Sequence, residues 1–222
     1  MLGNVRYSFD LLLALFRSRR YQGGPDPEIK AFLRSYRTYA LQVVLLGRFS
    51  SPKIYGAIRA LNEGRIAEAS RVFELGDKEK KALASFFEGK IEKNDHAKLL
   101  LAAYVWRTEE DDPDVVKQHL VYEKSTLEHI LPQEPAQGTN WLTDFAKPFR
   151  DDFTYRLGNM TLLTQAKNSA NRNFDFSKKR AVYAKSKLPL TVTLGEHPKM
   201  TEQIIKDRQK KLVSALRDIF LS

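Results

Sequence analysis

The stretch STLEHILPQ, Ser125 to Gln133, is short and β-prone in a chain whose first hundred residues read as one helix after another. Within it a single histidine, His129, follows the carboxylate Glu128 in an apolar run, and Pro132 closes the segment three residues later. Such a histidine is either a core residue with a satisfied ring or a group placed for chemistry. Downstream, MTLLT (Met160 to Thr164) is a second short extended run, entered through Leu157, Gly158 and Asn159. Asn159 after Gly158 suits a tight turn with positive φ. A helix is expected to open near Gln165 or Ala166.

Before these two runs the periodicity is helical. NVRYSFDLLLALF has apolar residues at helical spacing, with Leu11, Leu12, Leu13, Leu15 and Phe16 as a core stripe. The breakers in YQGGPDP separate it from the long segment EIKAFLRSYRTYALQVVLLGRF. Ser51 before Pro52 reads as an N-cap opening PKIYGAIRALNEG, and Asp77 as a cap for KEKKALASFFEG. HAKLLLAAYVWRT follows. After the two extended runs come FSKKRAVYAKSK, with Ser177 as the expected cap, and the amphipathic TEQIIKDRQKKLVSALRDIF. The acidic break EEDDPD, Glu109 to Asp114, is the most plausible boundary, giving a helical domain over 1–110 and a second domain over 111–222.

Composition narrows the chemistry. Of 222 residues, 42% are hydrophobic and 29% charged, as in ordinary globular proteins, and no apolar run approaches ~18 residues without charge. Membrane spans are therefore not expected. Cysteine is absent, which excludes disulfides and thiolate metal sites and suits a cytoplasmic protein. Any metal would be held by oxygen or imidazole donors. A net charge of +10 points to an anionic partner. The charge is segregated: Lys167 to Lys187 holds seven basic residues against the single acid Asp175. Segregation of that kind favours a binding face over uniform solubilisation.

Taken together, EHILPQ, LGNMTLLT and QAKNSANRNF resemble an HNH nuclease motif, the His-Me or ββα-metal finger. The wider pattern TLEHILPQ…W…LGNMTLL…NSANRNFDFSKKRAVYAKS, from about Thr126 to Ser186, resembles the C-terminal nuclease domain of GmrSD-type restriction proteins. Those proteins carry a ParB/sulfiredoxin-like NTPase domain upstream; this chain has no G-x-x-x-x-G-K-[ST] run, so it reads either as an excised C-terminal region or as a separately encoded nuclease subunit, with an NTPase domain or subunit as the partner. The resemblance implies a mainly α fold, a helical bundle with a ββα-metal finger embedded in its C-terminal half. It implies a metal-dependent DNA endonuclease of a restriction or phage-defence system, acting on modified or phage DNA.

Residue by residue, the resemblance makes His129 the general base and Asn168 a metal ligand, nine residues after Asn159 as in HNH domains. Asn159 would orient the imidazole or the loop that bears it. Glu128 matches the acidic ligand placed before the base, although neighbouring strand residues face opposite ways. The ion would be Mg²⁺ or Mn²⁺. Such a reaction needs an activated water and an electrophile on the phosphate, and a neutral imidazole and one divalent cation supply those. Lys167, Arg172, Lys178, Lys179 and Arg180 are candidate phosphate contacts.

Each residue also has a plainer reading. Asn168 suits a helix start, and Asn171 and Asn173 suit loop caps as well as phosphate contacts. Lys178, Lys179 and Arg180 could be a solvated helix face. His96, His119 and His197 lie in no pattern. A ribonuclease with the same site, or a non-catalytic helical DNA-binding subunit, would carry the same sequence features.

Overall fold

In the computed structural model, described at residues 14, 26–108, 125–164 and 174–222 (106–108 by backbone alone), the chain is mainly helical with one two-stranded sheet. It forms two compact units, Met1–Leu83 and Ala84–Ser222. The division falls earlier than the acidic break, which itself lies outside the described residues. It falls inside a helix, Asp77–Glu88.

In the first unit, α1 (Pro27–Leu46) starts where Asp26 accepts a hydrogen bond from the Glu28 amide at 2.9 Å, and stops at Gly47, whose φ of 67° ends the helical path. α2 (Ser51–Asn62) is capped by Ser50, one residue before the expected cap. A short α3 (Ile66–Val72) follows. Phe32, Tyr39, Ile54, Ala57, Leu61, Ile66 and Phe73 form the core. Tyr39 anchors the turn between α1 and α2, accepting a hydrogen bond from the Ser50 amide at 2.8 Å.

After α4 (Asp77–Glu88), the second unit has α5 (Asn94–Thr108), β1 (Ser125–His129), α6 (Asn140–Asp144) and α7 (Lys147–Phe153). A 3₁₀ turn, Leu157–Asn159, leads into β2 (Met160–Thr164). Then come α8 (Phe176–Tyr183), α9 (Pro189–Val192) and α10 (Glu202–Phe220). β1 and β2 are antiparallel, with Ser125 opposite Thr164 and His129 opposite Met160. The core gathers Ile130, Leu131, Trp141, Phe145, Leu163, Phe176, Tyr183 and Ile205 around one side of this hairpin. α10 buries Ile205, Gln209, Leu212, Leu216 and Phe220, a stripe at helical spacing, and Thr201 caps it by accepting from the Ile204 amide at 3.2 Å.

Two local expectations change. Gly158 and Asn159 have ordinary backbone; among the described residues only Gly47, Gly64 and Gly138 have positive φ. Gly158 is needed for proximity instead, since a Cβ there would lie 2.7 Å from the Gln209 amide nitrogen and against the Ile205 carbonyl. α8 is preceded by Asp175 and not capped by Ser177; the Asp175 carboxylate accepts from the Asn140 amide at 3.0 Å.

Candidate active site

β1 ends at His129, and strand alternation sends its last two side chains to different surroundings. Glu128 turns into the core. Its Oε1 accepts from the Lys179 ammonium at 2.8 Å and from the Tyr183 hydroxyl at 2.9 Å. Lys179 also donates to the carbonyls of His129 (2.7 Å) and Ile130 (3.1 Å), so all three of its protons have an acceptor. Burial pushes the Glu128 carboxyl up and the Lys179 ammonium down, and each is opposed by the charge of the other. Burial, and then the nearby carboxylate, push the Tyr183 hydroxyl well above its ordinary range.

These contacts overturn one expectation and bear on a second. Lys179 is fully buried and is not a phosphate contact: it shares the inward face of α8 with Phe176 and Tyr183, at spacings of three and four residues. Glu128, 4% exposed, is paired through Oε1 with Lys179 and Tyr183, so it does not stand at the site as a carboxylate with both oxygens open.

Asn159 is completely buried, and its side-chain hydrogen bonds go to the segment after His129 and to Thr154, not to the ring. Its Oδ1 accepts from the Leu131 amide at 2.7 Å, and its Nδ2 donates to the carbonyls of Leu131 (3.0 Å) and Thr154 (3.1 Å). Its own carbonyl accepts from the Ile130 amide at 2.8 Å. Asn159 is held in turn from α10. Arg208 donates to the carbonyls of Gly158 (3.2 Å) and Met160 (3.1 Å), and Gln209 accepts from the Gly158 amide at 2.7 Å. Burial lowers the Arg208 guanidinium to about 10, which leaves it protonated at neutral pH. No sequence pattern singles out Arg208 or Gln209 for this role, and Tyr183 enters only within the stretch that carries the family resemblance. Only the burial stripe of α10 marks Gln209, a polar residue among apolar ones.

The His129 ring meets the edge of Tyr155, with centroids 5.9 Å apart. Its Nε2 is buried and has no hydrogen-bond partner among the described residues. Burial first, and then the charge of Lys179, lower its pKa to about 4, so the ring is neutral at physiological pH. Neutral, and with Nε2 unpartnered among the described residues, the ring can accept a proton or a metal bond.

Asn168, Lys167 and Arg172 lie outside the described residues. Lys178 is exposed, its ammonium 4.8 Å from the Phe174 ring centre, and Arg180 is exposed with its Nε on the Gly195 carbonyl at 2.9 Å. Among the described residues no three His, Asp or Glu side chains converge as a metal site, and no helix is long and apolar enough to cross a membrane.

No curated protein matches the chain. The family model of the C-terminal domain of GmrSD restriction endonucleases matches residues 77–215, which include both strands, the Lys179–Glu128 pair and most of α10. A match over well more than half of the sequence, containing the whole hairpin that carries His129, places this chain in the GmrSD restriction endonuclease C-terminal domain family.

Proposed function

We propose that this protein is a divalent-metal-dependent DNA endonuclease of a restriction or phage-defence system, with an HNH-type site in which His129 is the general base. The observation that carries this reading is the buried Nε2 of a neutral ring at the end of β1, unpartnered among the described residues. Buried polar atoms are normally satisfied, and one left open is a candidate for a reaction partner. Nε2 would take the proton from a water as its oxygen attacks phosphorus and the bond to the 3′-oxygen breaks. A phosphate bound beside the ring favours its charged form, raising its basicity where the proton must be taken.

The described residues fit a metal only in part, because Glu128 is already paired. Asn168 is the donor that the family resemblance offers, and an ion held there would polarise the phosphate and steady the departing oxygen. Lys178, with Lys167, Arg172 and Arg180, would contact the DNA backbone, and an NTPase domain or subunit is the partner the resemblance implies.

His129→Ala is the deciding variant. The expected result is a ~10²- to 10⁴-fold loss of supercoiled-plasmid cleavage with DNA affinity and melting temperature near wild type. Retained cleavage with a lowered melting temperature would assign His129 to the core. A parallel assay on structured RNA separates DNase from RNase, and inactivity on both returns the chain to a binding role.

A further inference from the structure

We propose that Lys179 is a positioning residue: its buried ammonium ties the carbonyls of His129 and Ile130 to α8 and thereby fixes where the base sits. This rests on the reading of His129 as the base. Five consecutive backbone groups after the strand are held by two residues. Lys179 takes the carbonyls of His129 and Ile130. Asn159 takes the Ile130 amide through its own carbonyl, and the amide and carbonyl of Leu131 through its side chain. The chain leaving His129 is clamped from both sides, and Asn159 supplies only one of the two jaws.

The chemistry explains why the other jaw is a lysine. Two carbonyls and a carboxylate need three donors at one point, which an ammonium supplies and a hydroxyl or a single amide does not. Glu128 offsets the cost of burying that cation, and Tyr183 occupies the same carboxylate oxygen, holding it in place. A buried pair of this kind is a poor device for stability, since apolar replacements are often neutral or better. Its distinctive product is geometry. Misplacing a reacting group by ~1 Å can cost ~10² in rate, so the clamp acts on turnover more than on substrate binding.

The test is the double variant Glu128→Gln/Lys179→Met, which removes the clamp without leaving a lone buried charge. Measurements are kcat and KM for plasmid cleavage, melting temperature, and the His129 Cε1–H resonance, identified by its loss in His129→Ala. The proposal expects a folded protein, kcat lower by ~10²-fold, KM unchanged and a displaced, broadened ring signal. Wild-type kcat, or a raised KM with kcat intact, overturns it. Should the double variant not fold, the unmodified protein decides. A Lys179 ammonium resonance protected from solvent exchange and coupled to the two carbonyl carbons supports the clamp, and its absence overturns it. Should wild type cleave neither plasmid nor RNA, the nuclease reading fails by itself. The ring signal of the double variant then decides the clamp alone: moved supports it, unmoved overturns it.

Discussion

At the scale of the residue, pH is the most direct probe of His129. Its folded pKa of about 4 lies below the ordinary 6.5, through burial and then Lys179. Between those values the unfolded chain binds a proton that the native ring does not, so stability is present above about pH 6.5 and drains away as pH falls toward 4. The melting temperature of His129→Gln should therefore fall less steeply than wild type across that window; parallel profiles would mean the ring is not shielded. Glu128 gives a separate prediction. Because its Oε1 is taken by Lys179 and Tyr183, its replacement in Glu128→Gln should leave the Mg²⁺ concentration for half-maximal cleavage within about twofold, whatever happens to kcat; a tenfold rise would assign it the ligand role. The short extended run that carries His129 and the asparagine entering the next run were legible in the sequence, because both are local patterns. The Glu128–Lys179 pair was not, since its partners lie 51 residues apart and a basic run looks solvated. Yet the spacing of Phe176, Lys179 and Tyr183 already separates Lys179 from its neighbours Lys178 and Arg180.

At the scale of the element, the long periodic helices were readable because each buries a stripe of its own, and MTLLT because it is a short apolar run whose first four residues are all buried. The short α6, α7 and α9 were not; at four to seven residues they have too few turns for a period to register, and tertiary contacts decide them. The turn at Gly158 is a case in point. Sequence suggested a positive φ, whereas the glycine is there because α10 passes too close for any side chain. Gly158→Ala must push α10 away or shift the turn, and the opposing atoms are backbone, which yields little. A loss of ~1–3 kcal/mol is expected from equilibrium denaturation, with the His129 resonance displaced because Arg208 and Gln209 hold the same turn. An unchanged midpoint would mean that α10 is free to move.

At the scale of the molecule, charge and chemistry are divided unequally along the chain. The family match begins at residue 77, and the core that carries β1, β2 and α10 is drawn from residues 130–205. Residues 76–222 hold 25 basic and 21 acidic side chains, whereas residues 1–75 hold 12 basic and 6 acidic, a larger excess in half the length. Non-specific DNA affinity follows phosphate neutralisation and counterion release, not proximity to the scissile bond. A fragment covering residues 76–222 keeps the start of α4, where the Gly76 amide bonds the Glu79 carboxylate at 2.7 Å. It should unfold cooperatively and keep kcat within a few-fold of the full chain. Its DNA affinity should be weaker and its salt dependence shallower, by about one unit of slope for each phosphate it no longer neutralises. Affinity measured at four or five salt concentrations on both proteins checks this. An unchanged slope would assign DNA binding wholly to the family domain, and a fragment that melts without cooperativity would show that residues 1–75 are part of its fold.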